Sequence, residues 1–351
     1  MTGNGARAVE PVAGPLDATV VVPGSKSVTN RALVCAGLAA GVSTLTGALV
    51  ADDTEAMVDC LRRLGIAVAA VDGGTTLVVE GCGGSIPATR ARLDVTVTGD
   101  HLPLTIETHG LRGGTVAVAA DVSSQFASGL LLAGPATSAG LHLELTTAPV
   151  SRPYLDLTVD VMRSFGAEVA VDGAVFAVAP GGYEAAVHAV EADASAAAYF
   201  FAAAAICGGR VTVPGLGRLS HQGDVGFVHL LERMGATVEQ TDGATTVIGA
   251  HPLHGIEANL SGLSDTAATL AVTAAFASTP TRVTGVGFAR AKESDRVGGV
   301  VAELQRLGID AVEEPDGFVV RPGPFRPGRV ETYDDHRMAM SFALVGLRVP
   351  G

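Results

Sequence analysis

Four stretches of the chain share one local grammar, and a chain that repeats itself in this way must fold as repeated units. They are "LRRLGIAVAAVDGGTTLVVEG" from Leu61, "MRSFGAEVAVDGAVFAVAPGG" from Met162, "LERMGATVEQTDGATTVIGA" from Leu231 and "LQRLGIDAVEEPDGFVVRPG" from Leu304. Each ends an amphipathic helix at a glycine suited to a C-cap, then runs an apolar strand, an Asp-Gly turn and a second apolar strand. A weaker hairpin, "VTVTGDHLPLTIETHG", starts at Val95.

A second element recurs. "SKSVTNRALVCAGLAAG" from Ser25, "SSQFASGLLLAGPATSAG" from Ser123, "DASAAAYFFAAAAICGG" from Asp193, "LSDTAATLAVTAAFAS" from Leu263 and "DDHRMAMSFALVGL" from Asp334 all open with small polar or charged residues and continue as apolar helices. The openings supply N-caps, and a helix N-terminus leaves free backbone N–H groups that attract anions. The unit is therefore helix, strand, helix, hairpin.

The turn aspartates set its period. Asp100 to Asp172, Asp172 to Asp242 and Asp242 to Asp316 are 72, 70 and 74 residues, but Asp72 to Asp100 is only 28. About 44 residues, two helices and a strand, are missing between Leu93 and Thr96. The chain reads as six units, of which the second is incomplete and the sixth stops before its second helix and hairpin.

Composition limits what such units can do. The 351 residues suffice for two domains, 48% are hydrophobic and only 4% aromatic, which suits closely packed short elements. A formal net charge of -13 argues against nucleic acid or an anionic membrane as partner, since either needs a basic patch. Cys35, Cys60, Cys82 and Cys207 lack metal or disulfide spacing and read as small core residues in a reducing compartment. The most apolar run, Ala194 to Cys207, is short of the roughly 20 residues a membrane-spanning helix requires. With no signal-like start, the expectation is a cytoplasmic protein.

"PGSKSVTNR", from Pro23, looks at first like a nucleotide loop, but the glycines of GxxxxGK[ST] are absent. What remains is Lys26, Ser27 and Arg31 at a helix start, which fits an anion site and fits equally a capped helix with an exposed basic residue. The other helix starts break the tie. "DVSSQF" offers Ser123, Ser124 and Gln125; "VSRPYLD" offers Ser151, Arg152 and Tyr154; "RAKESDR" offers Arg290, Lys292, Glu293, Asp295 and Arg296; "YDDHRMAM" offers Asp335, His336 and Arg337. All fall at matching phases of the repeat, which favours one polyanion site. Zinc, calcium and dinucleotide motifs are missing, so no metal and no cofactor is expected.

Taken together, "PGSKSxTNR", "SSQF", "SxPYxDxT", "ExDASxAxYF", "KESDR" and "DHRMAM" resemble the 5-enolpyruvylshikimate-3-phosphate synthase family in order and spread. The resemblance implies an α/β fold, a two-domain inverse α/β barrel of the enolpyruvyl transferase type, with helices inside and sheets outside. It implies one lobe over residues 22–190, another over 1–21 and 191–351, substrates in the cleft between them, and a monomer. It further implies transfer of the enolpyruvyl group of phosphoenolpyruvate to the 5-hydroxyl of shikimate 3-phosphate, with release of phosphate.

By motif, Lys26 would bridge both substrates. Ser27 and Arg31 would hold the shikimate carboxylate side; Ser123, Ser124, Ser151 and Lys292 the 3-phosphate and its neighbours; Gln125 would lie against the ring. Asp265, in "LSDTAA", matches the residue that binds the reacting hydroxyl and takes its proton, and Glu293 the proton donor to the methylene carbon. Arg296 and Arg337 would clamp phosphoenolpyruvate, with His336 beside them. The family's "GNAGTxxR" loop falls in the missing stretch and its "KTFP" segment beyond Gly351, which predicts poor phosphoenolpyruvate binding and exposed apolar helix faces. The competing reading is an impaired or inactive homologue that binds a phosphorylated ligand or a partner.

Overall fold

The computed structural model describes residues 6–88, 110–121 and 123–351. The short interval of the repeat, the Val95 hairpin and Asp100 lie outside these residues. Two compact units divide the chain: Met1–Val22 with Asp193–Gly351, and Pro23–Ala192.

First along the chain comes β1 (Leu16–Thr19), which belongs to the former unit. The Pro23–Ala192 unit then runs α1 (Lys26–Leu38), β2 (Ala39–Thr46), α2 (Asp52–Arg63), β3 (Ala67–Val71), β4 (Thr76–Cys82), β5 (Gly114–Val118), α3 (Ser124–Ala133), β6 (Leu141–Leu145), α4 (Arg152–Ser164), β7 (Val169–Asp172), β8 (Val175–Val178), β9 (Tyr183–Glu184) and β10 (Val187–Ala189). The other unit continues with α5 (Ala194–Cys207), β11 (Gly209–Pro214), α6 (Phe227–Arg233), β12 (Thr237–Gln240), β13 (Ala244–Gly249), β14 (Glu257–Asn259), α7 (Ala267–Ala275), β15 (Thr281–Thr284), α8 (Gly298–Arg306), β16 (Asp310–Glu314), β17 (Gly317–Arg321) and α9 (His336–Gly346).

The helix, strand, helix, hairpin unit of the sequence is the unit of the fold. Among the described residues four sheets have one plan: β1-β11-β13-β12, β14-β15-β17-β16, β5-β6-β8-β7, and β10-β2-β4-β3 with β9 also on β2. In each, an outer strand lies parallel to the strand that follows the first helix, and the hairpin adds antiparallel to that strand. Alternation sets the register. Val171 pairs Phe176 and Val238 pairs Val247, so one face of each hairpin is apolar.

Among the first helices, α5 and α7 are buried on nearly all sides, as their unbroken apolar composition requires, whereas α1, α3 and α9 bury seven of thirteen, five of ten and six of eleven residues. All nine residues of α7 are buried, and α5 buries all but three of its fourteen. The second helices, such as α2 and α8, bury one stripe and expose charge. Helices inside and sheets outside is the expected architecture. One boundary differs from the sequence pattern, which extends the first helix to Gly41. Instead α1 ends at Leu38 and Ala39 already belongs to β2, where Ala40 pairs with Cys82, because sheet pairing outweighs the helix propensity of alanine.

Candidate active site

Within Pro23–Ala192, the PGSK turn is held by backbone. Ser25 N–H donates to the Glu191 carbonyl at 2.9 Å, and a Cβ on Gly24 would sit 1.8 Å from the Gly47 carbonyl oxygen. Only glycine fits there. Ser25, not Ser27, is the N-cap of α1, accepting from Val28 N–H at 3.4 Å. Lys26 and Ser27 thus occupy the open first turn. Lys26 Nζ lies 2.9 Å from Asp53 Oδ2 on α2, a partner that no motif pointed to.

Arg31 is one turn further on. Its Nε donates to Thr158 Oγ1 at 2.7 Å and its Nη1 to the Ser27 carbonyl at 3.0 Å, with the guanidinium 5.9 Å from the centre of the Tyr154 ring. Burial draws its pKa below the usual arginine value. Ser123 caps α3, accepting from Gln125 N–H at 3.2 Å; Ser124 is buried and Gln125 exposed. Ser151 is buried at the start of α4 with a left-handed backbone, φ 55°, and its hydroxyl makes no capping bond. A buried serine in that conformation is costly unless used. Arg152 goes elsewhere: it pairs with Asp156 at 2.9 Å, donates to the Gly173 carbonyl at 2.8 Å and stacks on Phe176, so it braces the β7–β8 hairpin.

The second constellation lies within the other unit. Asp265, in the turn before α7, receives Lys292 Nζ at 2.7 Å, Arg337 Nη2 at 2.7 Å and Arg296 Nη1 at 3.2 Å. Burial would raise its pKa, but Arg337, Lys292 and Arg296 outweigh that and hold it well below the usual carboxylate range. Arg296, 3% exposed, also donates to Asp335 through Nε at 2.7 Å and Nη2 at 3.2 Å, and Glu293 Oε2 lies 2.7 Å from its Nη2. Glu293 and His336 are exposed, at 53% and 56%. Asp335 caps α9 by accepting from Arg337 N–H at 2.8 Å, and despite burial its Arg296 bonds draw it down to about 2.

Thus Asp265, Lys292, Glu293, Arg296 and Arg337 form one connected set, joined through Arg296 to Asp335, with His336 at its edge 3.9 Å from Asp335. The sequence assigned Lys292 to the phosphate group with the serines, yet its partners here are Asp265 and Ser264. Asp224, its partner Ser195 and Tyr199 lie behind the set and are not marked by any motif. Asp224 is buried, takes a hydrogen bond from Ser195, and is pushed up to about 6 by burial and by the nearby Asp265. The Tyr199 hydroxyl is buried with its pKa raised, first by burial, and Arg337 close by. Ser195 and Tyr199 are polar residues inside an apolar run and look like any core polar residue, while Asp224 lies in a short polar loop that carries no motif. Among the described residues no group of three or more His, Cys, Asp or Glu could hold a metal ion, and no helix is long and apolar enough to cross a membrane.

The family model of EPSP synthase (3-phosphoshikimate 1-carboxyvinyltransferase) matches residues 12–100 and 91–351. The chain belongs to the EPSP synthase family. It is similar to the 3-phosphoshikimate 1-carboxyvinyltransferases of Nostoc punctiforme, at 38% identity over 389 positions covering 96% of this chain and 91% of the relative, and of Methanoregula boonei, at 37% with 97% and 93% covered. The EPSP synthase structure from Acinetobacter baumannii superposes with a TM-score of 0.83 at 25% identity, covering 98% of this chain and 92% of that one. The enolpyruvyl transferase NikO of Streptomyces tendae, at 19% identity and a TM-score of 0.76, shares the fold. An alignment of 389 positions exceeds the 351 residues of the chain, so the family members carry residues with no counterpart here. The two matched pieces meet at 91–100, where the repeat runs short.

Proposed function

We propose that the chain transfers the enolpyruvyl group of phosphoenolpyruvate to the 5-hydroxyl of shikimate 3-phosphate and releases inorganic phosphate, as a cytoplasmic monomer of the shikimate pathway. The observation that carries the proposal is the Asp265 carboxylate held by Lys292, Arg296 and Arg337. Surrounded this way it is ionised but weakly basic. Bound substrates would bring phosphates and carboxylates that compete for the same cations. As Lys292 and the two arginines turn to those anions, Asp265 regains basicity beside the hydroxyl it deprotonates.

In the first step the 5-oxygen bonds to C2 of phosphoenolpyruvate while the methylene carbon takes a proton, from Glu293 in this reading, and Asp265 accepts the hydroxyl proton. In the second step the methyl group returns a proton, the C2–O bond to phosphate breaks, and the double bond re-forms. Arg296, Arg337 and His336 stabilise the phosphoenolpyruvate side, and Lys26 and Gln125 face both substrates. Ser27, Arg31, Ser123, Ser124 and Ser151 hold shikimate 3-phosphate. Their roles rest on motif correspondence, on the Ser151 hydroxyl, which makes no capping bond, and on the anion-ready first turn of α1.

A second reading is favoured by one observation, the break in the family match at 91–100. The stretch lacking there holds cationic groups of the family's phosphoenolpyruvate clamp, so this chain would bind shikimate 3-phosphate without turning it over. Phosphate release from phosphoenolpyruvate that depends on shikimate 3-phosphate decides between them. Release supports transfer; calorimetric binding of shikimate 3-phosphate without release supports the second reading.

A further inference from the structure

Glu303 lies on α8 with its side chain fully buried, on the same stripe as Val300 and Leu304. A carboxylate placed in a core needs committed partners. Two come from a segment about thirty residues away: Glu331 N–H donates to Oε2 at 3.0 Å and the Tyr333 hydroxyl donates to Oε1 at 2.8 Å. The third, Arg306, stands 3.4 Å off at the surface.

The segment so held is strained. Tyr333 and Asp334 are consecutive non-glycine residues in the left-handed region, with φ 54° and 53°. Asp335 N–H closes the turn on the Thr332 carbonyl at 2.8 Å, and the next residues open α9. The Tyr333 ring itself is 39% exposed, so core packing does not explain a tyrosine here; its hydroxyl does the holding. The ring packs against Gly299 on α8, where a Cβ would make ordinary contact with it at 3.4 Å.

We propose that Glu303 and Tyr333 are positioning residues: they hold the strained 333–334 turn in place and thereby set the N-terminus of α9, from which Arg337 reaches Asp265. Asp335 alone cannot do this. Its partners Ser294 and Arg296 fix it from one side, at 2.9 Å and 2.7 Å, and a strained turn would otherwise relax on the other. Part of the inference rests on the enolpyruvyl-transfer reading, since that reading makes Arg337 a phosphoenolpyruvate ligand.

The test compares Tyr333→Phe, Glu303→Gln and the double variant Tyr333→Phe/Asp334→Gly with the unaltered chain. Loss of one buried hydrogen bond should speed amide exchange at Asp335 and Arg337 in Tyr333→Phe by about five- to tenfold, with the rest of α9 unchanged. The KM for phosphoenolpyruvate should rise by a similar factor while kcat and the KM for shikimate 3-phosphate stay put. Glu303→Gln keeps an acceptor for Glu331 N–H and should show a smaller effect. Asp334→Gly relieves the strain at one of the two positions, because glycine accepts a positive φ, and should restore part of what Tyr333→Phe loses. Unchanged exchange at Asp335 and Arg337 in Tyr333→Phe overturns the proposal, as does a uniform fall of all kinetic parameters in step with melting temperature. If the unaltered chain releases no phosphate, the transfer reading fails, and the exchange comparison still decides whether Glu303 and Tyr333 hold the 333–334 turn.

Discussion

At the scale of single residues, the site is governed by how charge is shared. Asp265 is one carboxylate facing three cations, and its motif "LSDTAA" carries no trace of that, because Lys292, Arg296 and Arg337 come from segments up to 72 residues away. Asp265→Asn should lower phosphate release by about 10²- to 10⁴-fold, the usual worth of a general base, while calorimetry still detects shikimate 3-phosphate binding. Retained turnover would remove Asp265 from the role of base. Asp224 gives a pH signature. Burial and Asp265 push it up to about 6, so the folded chain holds its proton more tightly than the unfolded chain does. Its contribution to stability is full below the ordinary aspartate value near 3.9 and is lost as pH rises through 6. Asp224→Asn lacks this dependence, so its melting temperature relative to the unaltered chain should climb between pH 4 and pH 7. A constant difference across that range would contradict the assignment.

At the scale of elements, the polar helix starts were readable because N-caps and anion sites need the same small polar residues at the same position. What they bind was not. Arg152 sits among such residues and still goes to the β7–β8 hairpin, while Ser25 and not Ser27 caps α1. The end of α1 likewise depends on its neighbours. A Cβ on Gly81 of β4 would lie 2.3 Å from the Ala39 carbonyl oxygen and 2.4 Å from that of Ala36. Gly81→Ala must therefore push the strand off the helix, and denaturant unfolding should show a loss of about 1–3 kcal/mol, the usual cost of overpacking. A neutral result would mean the close approach is not maintained in solution.

At the scale of the molecule, Phe126 and Leu130 of α3, one turn apart, are 61% and 36% exposed. Paired apolar residues left open on a helix invite association. Phe126→Ser should reduce binding of an exposed-hydrophobe dye and lower light scattering, with stability changed by no more than about 0.5 kcal/mol. Undiminished dye binding would place the sticky surface elsewhere. The architecture was legible from the chain alone because hydrophobic period and turn residues recur about every 72 residues, and such local patterns are what set helices, hairpins and their order. The family followed from motif residues spread over all the helix starts. Which cation meets which carboxylate was decided only in three dimensions. Ion pairs such as Arg296 with Asp335, and hydrogen bonds such as Tyr333 with Glu303, join residues 39 and 30 positions apart, and no local pattern encodes a partner at that distance.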